Sequence, residues 1–494
     1  MVVERELKLE APPTFSLARL VPDWHGYVVA PAAIKRLHTV YYDTEDLRLA
    51  HWGVSLRFRR DEGWTLKLPV PHDSRALYRE EHVFPGDGTT IPARALDLAT
   101  AYLRGAAPVP VAELRTLRAS RRLRSGDGGE VAEVVEDDVR VVEGTHVVRR
   151  FRQIEIELGA DAADDLLDHL GDLLRSEGAG KPDPVSKDVR ALGERAEGHE
   201  LDAPPVGARS RVSDVVRAAF AASVERLVRF DAKLRLHADE ESIHQARVAV
   251  RRLRSDLRTF LPVLDATRAC ALRERLSWLQ DGLSEARDAD VLLIGLRRRG
   301  ETLPGTDRRF LDDVLAPFGA ARERAYAHVG DMLRQPRYVA LLQELVETAK
   351  QPSLTPAADD DACDAAPALV REAWKTLRKR VRRRMRPPED RELHRIRIAA
   401  KRVRYAAEAL EAAVGGVARD LAAAAESIQT ILGDQHDAVV ARDRLRALAG
   451  RGAHAFVAGE VAALAHGDAC AGRDAWRPAW RAARREHRRF RRAF

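Results

Sequence analysis

The sequence predicts an α+β multidomain protein: a closed β-barrel with a polar lumen in roughly the first 200 residues, then an all-α region built from a duplicated helical unit. Three observations predict it. Segments near the amino terminus alternate charged and apolar residues with the period of a strand. From about residue 211 onward the apolar residues recur at helical spacing. Within that second region a motif of helical spacing returns 150 residues later.

Composition bounds the rest. A chain of 494 residues is too long for one ordinary core, and its 45% hydrophobic content is enough for two or three. No stretch approaches the roughly 18 uncharged apolar residues of a membrane span. Acids at Glu4 and Glu6 sit where a secretory signal keeps basic and apolar residues. The three cysteines (Cys270, Cys363 and Cys470) form no CxxC pair, which excludes a disulfide framework and fits a reducing cytoplasm. The net charge of +7 is unevenly divided. Residues 1–200 carry 28 Lys and Arg against 35 Asp and Glu, a net of −7, whereas 201–494 carry 55 against 41, a net of +14. A basic domain calls for a polyanion: nucleic acid, an anionic membrane surface or inorganic polyphosphate.

The strands come first. Glu4, Glu6, Lys8 and Glu10 alternate with Val3, Arg5, Leu7 and Leu9. Further alternating segments run over Val40 to Asp43, Val54 to Arg60, Trp64 to Leu68, Leu77 to Val83, Val131 to Val135 and Arg152 to Leu158. Within them Arg57 and Arg59 share a face, as do Arg79 and Glu81, and Glu155 and Glu157. One such face is ordinarily solvent-exposed. A whole set of them, several carrying both signs, suits a closed barrel with a polar lumen. Binding a triphosphate takes several cations from different directions. Hydrolysing it takes a divalent metal, and hard Mg²⁺ or Mn²⁺ takes carboxylate oxygens. Glu4 and Glu6 form one candidate pair of metal ligands, and Glu155 and Glu157 a second.

Glu4-x-Glu6-x-Lys8 resembles the ExExK signature of the CYTH family, the triphosphate tunnel metalloenzymes. Tyr41-Tyr42-Asp43-Thr44, Leu56-Arg57-Phe58-Arg59, Trp64 to Pro69 and Ile154 to Leu158 follow in that family's order. The resemblance implies an antiparallel eight-stranded β tunnel with flanking helices over residues 1–195. It implies phosphate contacts from Lys8, Arg57, Arg59, Lys67, Arg79, Arg118 and Lys187, with Arg121 and Arg122 as the next choices after Arg118. The acidic set is Glu4, Glu6, Glu81, Glu133, Asp137, Glu155 and Glu157. The catalytic assignment falls on Glu4, Glu6, Lys8, Glu155 and Glu157, with Glu4, Glu6, Glu155 and Glu157 as metal ligands.

Pro204-Pro205 and several glycines mark 196–210 as a linker before a helical domain at 211–494. Prolines and the run Asp359-Asp360-Asp361 mark a second linker at 351–367, between repeat halves at about 211–350 and 368–494. In the first half Ile243, Ala246, Val250, Leu253 and Leu257 form a buried stripe. His244, Arg247, Arg251 and Arg254 form a second stripe one residue later, about 100° around the helix and roughly 15 Å long. The other half repeats both: Leu393, Ile396, Ala400 and Val403 beside His394, Arg397, Lys401 and Arg404. Most basic helix faces are merely solvated. Here the acidic i+4 partners of a solvated face are missing, and the arrangement occurs twice.

Each copy is followed by Gln-xx-Leu-xxx-(Arg or His)-Asp with the aliphatic position conserved in character, ending at Asp288 and Asp437. This duplicated pattern is similar to the CHAD domain, the conserved histidine α-helical domain. The resemblance implies two repeated four-helix bundles around a basic groove that binds inorganic polyphosphate. The implied ligands are His244, Arg247, Arg251, Arg252 and Arg254, with His394, Arg397, Lys401, Arg402 and Arg404; Asp288 and Asp437 are expected to pair with those arginines. The basic run Lys375 to Arg386 reads equally well as added anion surface or as a solvated helix.

The combined reading is a cytoplasmic, polyphosphate-associated protein with a place at polyphosphate granules. Its tunnel hydrolyses inorganic triphosphate or another triphosphate with Mg²⁺ or Mn²⁺, and its helical domain binds polyphosphate. The rival is a non-catalytic polyphosphate-binding adaptor. Nucleic-acid binding is disfavoured, because the basic stripes carry no interleaved aromatics.

Overall fold

Ten strands account for the first region: β1 (Val2–Glu10), β2 (Asp23–Trp24), β3 (Tyr27–Val29), β4 (Ala33–Asp43), β5 (Ser55–Arg59), β6 (Gly63–Pro69), β7 (Leu77–Phe84), β8 (Val109–Arg124), β9 (Glu130–Glu143) and β10 (His146–Leu158). They are seen in a computed structural model that describes residues 2–70, 77–126, 128–160, 162–163, 165–236, 238–382, 389–448 and 452–494. Eight strands run in the order β8-β4-β5-β6-β7-β1-β10-β9, and β9 pairs back onto β8, so an antiparallel barrel closes and leaves no open edge. The short strands β2 and β3 extend from β8 outside it. The chain divides into two units, 1–200 and 201–494.

The period-two pattern puts chemistry and packing on opposite faces of the same strands. Glu4, Glu6 and Lys8 of β1 face the lumen. Leu7 and Leu9 face outward, packing with Ile154 and Ile156 of β10 and with Leu167, Leu170 and Leu174 of the helix Asp165–Ser176. That helix approaches closely enough that a Cβ on Gly171 would stand 2.5 Å from the Leu7 side chain. One core of this unit therefore lies between barrel wall and helix. At one end the lumen turns apolar, where Tyr41, Leu114, Val139 and Val141 meet Ala191 of the short helix Lys187–Leu192.

Several strand expectations need correction. β4 starts seven residues before Val40, β10 six before Arg152, β9 ends eight after Val135, and the run of candidate arginines 115–124 belongs to a strand, β8. Outward positions of β8 such as Arg115 and Leu117 are exposed while inward Thr116 is buried, so no ordinary hydrophobic alternation marks it. The unit also runs past 195. Glu200 accepts from Arg104 at 2.6 Å and from Trp52 Nε1 at 2.6 Å, which ties 196–200 to the barrel unit.

The second unit is built from α1 (Val212–Leu236), α2 (Glu240–Thr259), α3 (Ala266–Gly300), α4 (Leu311–Leu333), α5 (Pro336–Lys350), α6 (Ala362–Arg382), α7 (Asp390–Glu408), α8 (Gly416–Arg446) and α9 (Ala453–Arg492). The predicted apolar stripe is buried throughout: Ile243, Ala246, Val250, Leu253 and Leu257 are at most 2% exposed, and Leu393, Ile396, Ala400 and Val403 at most 1%. In the second half α9 is one helix of 40 residues. Its counterpart is broken into α4 and α5 at Gln335, whose backbone is extended (φ −75°, ψ 140°) as the residue before Pro336, the first residue of α5. A buried lock closes the break: the Tyr338 hydroxyl donates to Asp231 at 2.7 Å, Asp231 also accepts from Arg235, and Arg235 donates to Leu333 O.

The segment 351–367 is not a free linker. α6 begins at Ala362 and contains Pro367. The acidic run before it is pinned to the start of α1, with Val212 N–H donating to Asp360 O and Arg211 paired with Asp359 at 3.2 Å. Of the basic run Lys375 to Arg386, residues 383–386 lie outside the described residues. Among the described residues no helix is long and apolar enough to cross a membrane.

Candidate functional sites: a charged tunnel and a cationic cavity

The barrel lumen encloses about 200 Å³. β1 supplies Glu4, Glu6 and Lys8, β5 Arg57 and Arg59, β6 Lys67, β7 Arg79 and Glu81, β8 Arg118, and β10 Glu155 and Glu157. Lys187, the first residue of the short closing helix, completes the set. All the phosphate-contact candidates thus line one space. Arg118 is the inward residue of its run: Arg121 donates to Leu20 O and Arg122 reaches Glu130 at 3.5 Å.

The charges sort into two groups. Glu4, Glu6 and Glu157 bring carboxylate oxygens within 4.8 Å of one another. Glu6 lies directly opposite Glu157 in the β1–β10 register, a like-charge pairing that costs energy unless a cation relieves it. Burial, then Glu155 and Glu4, push the Glu157 carboxyl up to about 7. Lys67 reaches Glu4 at 2.5 Å and Lys8 reaches Glu6 at 2.7 Å, each using one oxygen. Burial works against ionising Glu6, but Lys8, Lys67 and Arg79 together outweigh it and hold its pKa below the ordinary glutamate value.

Glu155 was expected among the metal ligands, and the structure places it elsewhere. It sits 2.6 Å from Lys187, 3.2 Å from Lys8 and 3.2 Å from Arg118. Burial opposes its charge, yet these three cations hold its carboxyl well below the ordinary range. Asp137, fully buried, shares the task, 2.8 Å from Arg118 and 2.9 Å from Lys187. Glu155 and Asp137 therefore position cations. Glu133 lies farther along β9, opposite Glu157 in register.

In the helical unit a cavity of about 510 Å³ opens between the two halves; among the described residues it is lined by nine Lys and Arg side chains and two carboxylates, Asp288 and Asp437. Both basic stripes face it: His244, Arg247, Arg251 and Arg254 from α2, and His394, Arg397, Lys401 and Arg402 from α7. Asp288 lies 3.6 Å from Arg247. Burial raises the Asp437 carboxyl, which lines the cavity near Arg397 and Lys401. Burial and the crowding of like charge both act on the groups that line the cavity. Burial, then Arg397, Arg251 and Arg247, press Lys401 down to about 7. Burial, then His394 and Arg397, press His436 down to about 4. The Nδ1 atoms of His244 and His394 and the Nε atoms of Arg251, Arg254 and Arg397 are buried with no hydrogen-bond partner among the described residues. Buried guanidinium N–H donors are costly to leave unmet, which makes this cavity a candidate anion site.

The CYTH domain family matches residues 3–192 and the CHAD domain family residues 218–446. Two proteins of Mycobacterium tuberculosis, from strains H37Rv and CDC 1551 and each named as uncharacterized, are 32% identical over 451 residues, covering 84% of this chain and 83% of theirs. The chain is a CYTH–CHAD protein. Similar solved structures include the CHAD domain from the plant Ricinus communis, 30% identical with a TM-score of 0.45, covering 58% of this chain and 95% of that one. PptA from Streptomyces chartreusis is 23% identical with a TM-score of 0.43, covering 55% of this chain and all of that one.

The two halves of the CHAD domain use their repeat positions differently. Arg252 and Arg404, both expected as ligands, turn away from the cavity and share Glu408 at 2.6 Å each, with Arg404 also 2.7 Å from Glu426. Their repeat counterparts Arg402 and Arg254 line it. Glu408 makes the difference, since the first half has Arg258 at the matching position and offers no carboxylate there. The Tyr405 ring, where the first half has Ser255, lies 5.4 Å from the Arg251 guanidinium and 6.0 Å from that of Arg252. Sequence reasoning missed Arg258, Arg273 and Tyr405 in the CHAD cavity and Tyr41 and Glu62 in the CYTH lumen. Arg258 had a signal, since it continues the stripe of Arg247, Arg251 and Arg254 by one more turn. Glu62 comes from the β5–β6 turn and pairs with Arg59 at 2.9 Å, a contact that strand periodicity does not reach.

Proposed function

We propose that the CYTH tunnel binds and hydrolyses a triphosphate with a divalent cation, Mg²⁺ or Mn²⁺, and that the CHAD cavity binds inorganic polyphosphate. The observation that carries the first half is the separation of charge inside one lumen: a carboxylate triad beside a set of cations from five strands and a helix. The triad fits a hard dication. Its donors are oxygens, and burial together with repulsion from Glu155 and Glu4 raises the Glu157 pKa, a strain a dication would relieve. When bound, the ion supplies neutralisation of phosphate charge and polarisation of a water. Lys8, Arg118 and Lys187, held in place by Glu155 and Asp137, bind phosphoryl oxygens from one side of the lumen. Arg57, Arg59, Lys67 and Arg79 bind from the other strands and stabilise charge that grows on the leaving oxygen. The cation excess of the CHAD cavity, nine against two, supports the second half.

A phosphate-release screen tests the tunnel. Purified protein is expected to release phosphate from at least one of inorganic triphosphate, ATP and thiamine triphosphate when Mg²⁺ or Mn²⁺ is present, and to stop on chelation. Release from none of them with either metal leaves the adaptor reading in its place.

Lys401 gives the cavity a pH dependence of definite sign. Its pKa in the free protein is pressed down to about 7, and a bound anion pushes it back toward the ordinary lysine value. Binding therefore takes up a proton above pH 7, and polyphosphate affinity falls by up to about tenfold per pH unit between 7 and the bound pKa. Fluorescence anisotropy across that range checks it. Lys401→Arg keeps the charge and should flatten the profile.

A further inference from the structure

The cavity leaves much of the CHAD domain's positive charge unused. Trp374 of α6 stacks on His487 of α9 with centroids 3.9 Å apart, and on Trp480 at 5.3 Å, so these two helices lie side by side. On α6 the exposed face carries Arg371, Lys375, Arg378 and Arg382, spaced at i, i+4, i+7 and i+11. On α9 it carries Arg481, Arg484, Arg488 and Arg492, spaced at i, i+3, i+7 and i+11. Each row is roughly 16 Å long. Of the carboxylates in these segments, Glu372 pairs with Lys375, and Glu486 with Arg485 and Arg489. Among the described residues no carboxylate lies within ion-pair distance of Arg378, Arg484 or Arg488.

The rows connect to the cavity. At one end of it Arg254, Arg258, Arg273 and Arg402 crowd together, and Arg258 is pressed down to about 10 by burial and by Arg402, Arg273 and Arg254. Burial, then Arg273 and Arg380 of α6, lower the Arg402 guanidinium. Two residues from Arg380, burial, then Arg491 of α9 and Arg378 of α6, press His487 down to about 4. Cations thus run from the cavity past Arg402 and Arg380 onto the outer face. A long phosphate chain cannot end inside about 510 Å³ and must leave by some route. Of the aromatic rings at this surface Trp374 and His487 are buried, at 7% and 9% exposure, and Trp480 is half-buried against Trp374, so no row of open rings is offered to successive bases. That favours a bare phosphate chain over a single-stranded nucleic acid.

We propose that the α6–α9 face is an exit track for the chain held in the cavity: one stretch of inorganic polyphosphate lies between the halves, and the stretch leaving past Arg402 and Arg380 is gripped by Arg378, Arg484 and Arg488. The proposal rests on the cavity reading.

The test uses the full chain with Arg378→Gln, Arg484→Gln and Arg488→Gln combined, against a control lacking three exposed cations elsewhere (Arg298→Gln, Arg308→Gln and Arg324→Gln). Binding of long-chain polyphosphate and of linear octaphosphate is measured in chelator across a salt series. The tunnel is identical in all proteins, so its contribution cancels. The track variant is expected to bind the long chain on the order of tenfold more weakly than the control, with a log–log salt slope shallower by about 2 from three lost contacts. Octaphosphate binding stays unchanged, which also reports an intact fold, and lysines at the three positions restore the long-chain affinity. Equal loss on both chains, no loss beyond the control, or a loss on duplex DNA without one on polyphosphate overturns the track. Wild type that holds neither chain overturns the cavity reading and the track together. Wild type that holds both, with a track variant that loses neither, overturns the track alone.

Discussion

Replacing Glu4 or Glu6 with glutamine is expected to abolish metal-dependent phosphate release while the barrel stays folded. Each change removes one anionic oxygen donor from the triad with Glu157 and keeps side-chain size and a hydrogen-bonding amide beside Lys67 or Lys8. Groups that merely orient metal ligands cost 10–100-fold when removed, so losing a ligand should cost more than about 100-fold. A metal titration of phosphate release checks it, and a variant that keeps the wild-type rate at ordinary metal concentration removes Glu4 or Glu6 from the metal site. Glu155→Gln should behave differently. It leaves the triad untouched but loosens Lys8, Arg118 and Lys187, so triphosphate binding weakens while the metal requirement keeps its midpoint.

Reversing both central cavity cations, Arg251→Glu with Lys401→Glu, is expected to weaken polyphosphate binding of the full chain by at least about 100-fold near physiological salt. Two attractions become two repulsions, and each contact to a single-stranded polyanion contributes a log–log salt slope of about −0.7. The change removes repulsion from a crowded cationic site, so the fold should not suffer. Arg252→Glu is the informative comparison, because Arg252 sits one residue from the stripe yet is engaged by Glu408. Equal losses from the cavity pair and from Arg252 would falsify the assignment of the cavity as the binding site.

Most of the barrel was legible because its lumen is polar: charge at every second residue of β1, β5, β7 and β10 is a period no helix produces. β8 was not legible, since its outward positions include exposed Arg115 and Leu117 and its inward face mixes Leu114, Thr116 and Arg118. The helical stripes were legible to the residue on their apolar side. On their basic side periodicity places a residue on a face but cannot say which neighbour answers it. Arg404 keeps the stripe spacing and is captured by Glu408 and Glu426, whereas Arg402, off the stripe, reaches the cavity. Glu155 fails for the same reason. Its face was readable, but three cations converging from β1, β8 and a distant helix were not.

The placement of a core outside the barrel wall, behind β1, has a consequence for how this scaffold can change. Leu7 and Leu9 hold β1 in place from behind, and Glu4, Glu6 and Lys8 never enter that packing. Stability and chemistry are thus carried by alternate letters of one strand. A substitution on the inner set alters which anion is welcome without asking the outer set to repack, and buried charges that repel, as Glu6 and Glu157 do, make some inner neutralisations stabilising even as they silence the site. Thermal selection without selection for turnover should therefore bleach the lumen first and leave the leucines alone.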